Sequence, residues 1–227
     1  MTRQADSVSA VTHQLTAKIF DDFKRSGVLK KPGHLNFSLA GLKIQVDNSD
    51  VIGGVLQSWF DAWLSKNSYK NLQDDTQEFP DFLFAGDVYL ELKTFIDGRS
   101  PAFDVANFAS YVTSLTSRPE RLNADYLILS YSLDTSGIAI KKMWIKKVWQ
   151  ITGPSAKNGL SLQVKRGQAY NIRPKSWDSR RAETFASRHD FVRALSIAGK
   201  RFRVPGCDKS WLKKVSKQYT KRVGGKL

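Results

Sequence analysis

Residues 79–95, FPDFLFAGDVYLELKTF, hold two strand-forming runs separated by Gly86-Asp87. Apolar and aromatic runs on both sides of such a break fold back as a hairpin. The pattern predicts strands over 79–85 and 88–95, with Pro80 acceptable only near a strand start or on an edge. Side chains alternate faces along a strand, so Val88, Leu90 and Leu92 share the core face and Glu91 and Lys93 the other. If Ala85-Gly86-Asp87 is the loop, residue 84 pairs with 88, and counting inward sets Asp81 opposite Glu91. Directly opposed residues have Cβ atoms ~5 Å apart. Two carboxylates that close can share one divalent cation. Oxygen ligands of this kind suit magnesium, which keeps several waters and accepts phosphate oxygens. Lys93, one step along the same face, is placed to orient or deprotonate an attacking water. Phosphodiester hydrolysis needs this combination of cation and base.

Two similar triplets lack that setting. Asp22-Phe23-Lys24 lies in a helical pattern, where residues two apart do not face each other. Gln163-Val164-Lys165 sits on a predicted strand, but no Pro-Asp precedes it at short range.

The rest of the chain reads as helices around further strands. Val8, Val11, Leu15, Ile19 and Phe23 recur at helical steps and predict a helix over 8–25. A strand falls within 35–46. A helix follows over 51–66, with Asp50 as N-cap and Val51, Val55, Trp59, Phe60, Trp63 and Leu64 along one side. Val105, Phe108, Ala109, Val112 and Leu115 predict a helix over 103–116. The unbroken apolar run at 124–133 predicts a strand buried on both faces. Strands over 138–145 and 159–164 and helices over 183–198 and 209–221 complete an α/β chain, a central mixed sheet flanked by helices. Its 227 residues are read as one domain, 1–227, with a core at about 50–132 and a basic half at about 133–227.

Charge is unevenly placed. Residues 1–100 carry 11 Lys and Arg against 13 Asp and Glu, whereas residues 101–227 carry 25 against 8. A one-signed field of that size attracts a polyanion. Lys141, Lys142, Lys165, Arg166, Arg173 and Lys175, set among aromatic and amide residues, are the candidate DNA contacts. The run from Lys200 to Lys226, ten basic residues against Asp208, reads as a phosphate-contacting helix. One cysteine, Cys207, and three scattered histidines exclude an internal disulfide and argue against a zinc or histidine metal site. The chain shows no membrane span and no secretory signal, which leads to the expectation of a cytoplasmic protein.

Pro80-Asp81 followed by Glu91-Leu92-Lys93, in the order helix, hairpin, helix, strand, resembles the PD-(D/E)xK nuclease superfamily, and in size its type II restriction endonucleases. The resemblance covers about residues 50–132. It implies Asp81 and Glu91 as metal-binding acids, the Leu92 carbonyl as a further ligand to Mg²⁺, and Lys93 as the catalytic lysine. It also implies a parallel strand pair joined through the helix at 103–116 by a right-handed crossover. Many relatives add an acid or glutamine from the preceding helix, for which Gln57, Asp61 and Glu78 are the candidates. The implied activity is Mg²⁺-dependent, sequence-specific cleavage of double-stranded DNA, leaving 5′-phosphate and 3′-hydroxyl ends. A homodimer reading a palindrome, and a cognate methyltransferase protecting host DNA, are the implied partners. A structure-specific repair or recombination nuclease and a non-catalytic DNA-binding protein are the alternatives.

Overall fold

The computed structural model describes residues 7–8, 11–45, 49–73, 79–134, 137–178 and 183–227. The chain divides into two units, Met1–Arg99 with Asp125–Lys146, and Ser100–Ala124 with Lys147–Leu227.

The first unit opens with β1 (Ser7–Val8), α1 (Gln14–Arg25), β2 (Asn36–Leu39), β3 (Leu42–Gln45) and α2 (Ser49–Lys66). It continues with β4 (Phe82–Phe84) and β5 (Val88–Ile96). The second unit supplies β6 (Ala106–Asn107), α3 (Phe108–Ser114) and a 3-10 turn (Pro119–Asn123). The chain then returns to the first unit in β7 (Asp125–Asp134) and β8 (Gly137–Lys147). It ends in α4 (Val148–Ile151), β9 (Leu162–Lys165), β10 (Gln168–Ile172), α5 (Arg188–Arg201) and α6 (Trp211–Val223).

The main sheet has the order β1-β8-β7-β5-β4. It is mixed, as expected: β4 and β5 are antiparallel, β5 and β7 parallel, β1 and β8 parallel. β5 therefore has a neighbour on each side, and its core face needs Val88, Leu90 and Leu92, all buried. Against these pack Ile19, Phe20 and Phe23 of α1 and Ile52, Leu56, Phe60 and Leu64 of α2. The four α2 residues recur every fourth position, which places them on one helix face. Phe60 meets Phe82 edge-to-face at 5.2 Å and Phe23 at 5.0 Å.

Several expected boundaries move for local reasons. α1 begins at Gln14, not at residue 8, because the His13 side chain accepts from Leu15 N and caps it. The His13 N–H and the Thr16 hydroxyl both donate to the buried Asp125 carboxylate, at 3.1 and 2.7 Å. Val8 lies instead in β1, and Val11 is 52% exposed. α2 already includes Ser49, so Asp50 stands inside its first turn and is not the cap. Trp59, expected on the inner side of that helix, is 46% exposed. The segment 35–46 holds a hairpin where one strand was expected, because Ala40 and Gly41 both adopt positive φ and reverse the chain between β2 and β3.

In the second unit the helix expected over 103–116 is shortened. Val105 N donates to Ile172 O and β6 pairs with β10, so these residues join a three-stranded sheet of order β6-β10-β9. Asn107 then caps α3 by accepting from Ser110 N. The strand expected over 159–164 is β9, which turns through Arg166 and Gly167, both at positive φ, into β10. The core of this unit includes Val112, Phe191, Leu195, Trp211 and Val215. The Trp211 indole N–H donates to Val112 O at 3.2 Å.

Candidate active site

The β4–β5 register sets Phe84 against Val88 and Phe82 against Leu90. One step beyond, Asp81 meets Glu91, as the loop count requires. Two hydrogen bonds fix the pair: Asp81 N–H donates to Glu91 Oε1 at 3.2 Å, and Leu92 N–H donates to Asp81 Oδ2 at 2.8 Å. Lys93 Nζ lies 2.8 Å from Glu91 Oε2 and 3.9 Å from Asp81 Oδ2. Three charged groups thus converge at the end of a short hairpin, and Glu91 is only 4% exposed.

The electrostatics follow from that crowding. Burial, and then the charge of Glu91, push the Asp81 carboxyl from its ordinary value of 3.8 to about 6, with Lys93 acting in the opposite direction. Two buried carboxylates with one ammonium between them still lack positive charge. Among the described residues no group of three or more His, Cys, Asp or Glu is gathered to hold a metal. The available donor set is two carboxylates and the peptide carbonyls beside them, which are hard oxygen donors.

Neighbouring polar residues hold the pair in place. Gln57 on α2 donates from Nε2 to Asp81 Oδ1 at 3.2 Å. Of the two described candidates for an additional residue it is the one that touches the site. Asp61 instead accepts from Asn71 Nδ2 at 3.0 Å, and Glu78 lies outside the described residues. Asn71 Oδ1 accepts from Leu83 N, and Gln73 Nε2 donates to Pro80 O at 2.8 Å, so the two fasten β4 and the residue before Asp81. Neither residue stands out in the sequence. They are amides in a loop without periodicity, and only Asn71's short-range acceptance from Gln73 N has a local signature.

The similar triplets behave differently. Asp22 forms ion pairs with Lys18 and Arg25 along α1, while Phe23 between Asp22 and Lys24 is core. Gln163 accepts from Asn171 Nδ2, and the exposed Lys165 lies 5.5 Å from the centre of the Tyr170 ring. Among the other candidate DNA contacts, Lys141 and Arg166 are exposed and Lys142 lies 3.7 Å from Asp97. Arg173 is paired with Asp104 and donates to Ala102 O, and Lys175 is paired with Glu183 at 3.0 Å. The nearby Trp144 and Trp149 are buried.

The solved NlaIV restriction endonuclease shares this fold with a TM-score of 0.84 and 31% identity, over 98% of this chain and 94% of that one. The type II restriction enzyme NlaIV of Neisseria lactamica is 34% identical over 197 residues, 83% of this chain and 80% of the relative. The type II restriction enzyme NgoBV of Neisseria gonorrhoeae is 30% identical over 172 residues, 73% of this chain and 95% of the relative. The mixed sheet with its flanking helices is therefore a restriction endonuclease-like fold, and the chain is a type II restriction endonuclease, a site-specific deoxyribonuclease. Within that class it belongs to the NgoBV restriction endonuclease family, whose model matches residues 13–227. No helix among the described residues is long and apolar enough to cross a membrane.

Proposed function

We propose that this enzyme cleaves double-stranded DNA at Asp81, Glu91 and Lys93 with Mg²⁺ as its cofactor. The observation that carries the reading is the convergence of two buried carboxylates and one ammonium at the β4–β5 hairpin. Type II restriction enzymes generally use a divalent metal, and this donor set fits a hard one. Asp81, Glu91 and the Leu92 carbonyl would hold it. The chemistry such an ion supplies when bound is Lewis-acid stabilisation of the charge that develops on the scissile phosphate.

The chain's own groups do the rest. Glu91 holds the Lys93 ammonium in place at 2.8 Å, so Lys93 needs no reorganisation before it orients the attacking water; it takes that water's proton only as the neutral amine, after giving up its own. Gln57 fixes one Asp81 oxygen while the Leu92 N–H fixes the other, which sets the carboxylate plane. The exposed Lys141, Lys165 and Arg166 have charge available for phosphates, whereas Arg173 and Lys175 would first have to leave Asp104 and Glu183.

The test is incubation of the purified protein with phage DNA and Mg²⁺, followed by gel electrophoresis. Discrete bands that vanish with EDTA are the expected result. A smear or intact DNA overturns the reading. A homodimer, each copy cutting one strand of a palindrome, extends the proposal. Light scattering on the DNA complex should give two copies, and a strict monomer that nicks one strand at a time would refute it. A cognate methyltransferase that modifies the same site completes the proposed system, because host DNA carries that site too.

A further inference from the structure

The basic residues of α6 are not equivalent. Trp211, Val215 and Tyr219 recur every fourth residue and are buried, so they define the inner face of the helix. Lys214 and Arg222 have acids to answer them, Asp208 at 3.3 Å and Glu120 at 3.7 Å. Lys213, Lys217 and Lys221 form a second every-fourth row, continued by Lys209 two residues before the helix. All four are exposed, and none is ion-paired with a described residue. They line one open groove of about 750 Å³, with His189 of α5 on its wall.

An uncompensated row of four ammonium groups repels itself, and an anion with matching repeat relieves that repulsion. The α-helical rise of 1.5 Å places Lys213 and Lys221 about 12 Å apart along the axis. One DNA strand presents a phosphate every ~3.4 Å of axial rise, so the helical part of the row, Lys213 to Lys221, spans about three to four phosphate steps. Lysine suits such a role, because it is a compact point charge on a flexible stem and meets a phosphate without a fixed geometry.

We propose that the Lys209–Lys213–Lys217–Lys221 row is a track for the phosphodiester backbone of duplex DNA, gripping any sequence alike. The proposal rests on the nuclease reading in one respect, that duplex DNA is the substrate. It assigns the grip to one face of α6 and not to the basic C-terminal run as a whole.

The test uses the full chain and a labelled duplex of random sequence, in EDTA so that no cleavage intervenes. Fluorescence anisotropy at several salt concentrations gives the slope of log affinity against log salt. The variant K213Q/K217Q/K221Q should bind more weakly, and its slope should fall by about 2.7, near 0.9 for each phosphate no longer neutralised. Lys214→Gln removes the same charge from the answered side and should lower the slope by less than any one of the three. A triple variant that keeps the wild-type slope overturns the track while leaving the nuclease reading intact. A wild-type protein whose duplex binding ignores salt overturns both. If thermal melting shows the triple variant misfolded, Lys217→Gln alone decides, with an expected fall of about 0.9.

Discussion

The two units differ in charge far more than in the way they build a core. Met1–Arg99 with Asp125–Lys146 carries 14 Lys and Arg against 15 Asp and Glu, while Ser100–Ala124 with Lys147–Leu227 carries 22 against 6. Each has a core of fully buried aromatic and aliphatic residues, among them Phe23, Phe60 and Leu90 in the first and Phe191, Trp211 and Val215 in the second. The difference is therefore a difference of surfaces. The near-neutral unit holds the candidate pair of carboxylates, Asp81 and Glu91. The basic unit has charge in excess of anything its own acids neutralise, and an attraction of that kind supplies affinity without sequence information. Substitutions at the carboxylates of the first unit should thus change turnover, and substitutions of exposed basic residues in the second should change binding.

The sharpest way to break that division lies at Lys93. Lys93→Ala should lower the cleavage rate by about a hundredfold to ten-thousandfold, the range that one positioned proton-transfer group supplies. Asp81→Ala and Glu91→Ala should do the same. Duplex binding measured in EDTA should persist in all three, because phosphate contacts elsewhere carry it. Single-turnover rates and anisotropy on the same preparations check both halves. Near-wild-type cleavage by Lys93→Ala would move the active site away from the hairpin.

A smaller effect tests the electrostatics of the same site. Asp81 has its folded-state value raised to about 6, by burial first and by Glu91 second. The folded protein therefore holds that proton more tightly than the unfolded chain does. The corresponding stability is fully present below the ordinary value of 3.8 and is lost as pH rises through about 6. In EDTA at pH 8, Asp81→Asn should stabilise the fold by roughly 1–3 kcal/mol, read as a raised Tm. Adding Mg²⁺ should raise the wild-type Tm and leave that of Asp81→Asn nearly unmoved. A wild-type Tm that rises steadily from pH 4 to pH 7 without metal would show that the carboxylates are not strained against each other.

The geometry of the candidate site was legible in the sequence because a hairpin is a local object. Once Gly86-Asp87 marks the turn, the period-two alternation of a strand fixes Asp81 opposite Glu91 and puts Lys93 on the same face. The hydrogen bonds of Gln57, Asn71 and Gln73 depend on where α2 and the loop after it lie, and no short-range rule sets that. The same limit governs the fold. The apolar run at 124–133 identifies itself, but nothing in residues 8–13 shows that Asp125, more than a hundred residues away, will anchor the start of α1. Where positive φ reverses the chain at Ala40-Gly41 and Arg166-Gly167, the glycine is visible and the residue before it is not a usual choice, so the first hairpin reads as a single strand and the returning strand of the second, β10, goes unread. The outcome for the basic residues has the same origin. Arg173 and Lys175 look as available as Lys165 until Asp104 and Glu183 are found beside them.

That last contrast gives the smallest effect and the finest test of the comparison. Lys165 is exposed, ends β9 and has the ring of Tyr170 at 5.5 Å. Arg173 is held by Asp104 and by the Ala102 carbonyl, close to where β6 joins β10. If free charge is what the basic unit contributes, Lys165→Ala should reduce the salt slope by about 0.9 and weaken cognate and random duplexes alike. Arg173→Ala should act on the fold instead, since it leaves Asp104 and a carbonyl without their shared donor. An exposed pair of this kind contributes under about 1 kcal/mol, so a small fall in Tm with a nearly intact slope is expected. Measuring slope and Tm for both variants separates the two roles. A slope that falls equally for Arg173→Ala would mean that Asp104 yields its partner to a phosphate when DNA binds. Charge in the basic unit would then have to be counted with its ion pairs opened, and the excess available for binding would be larger than the free lysines suggest.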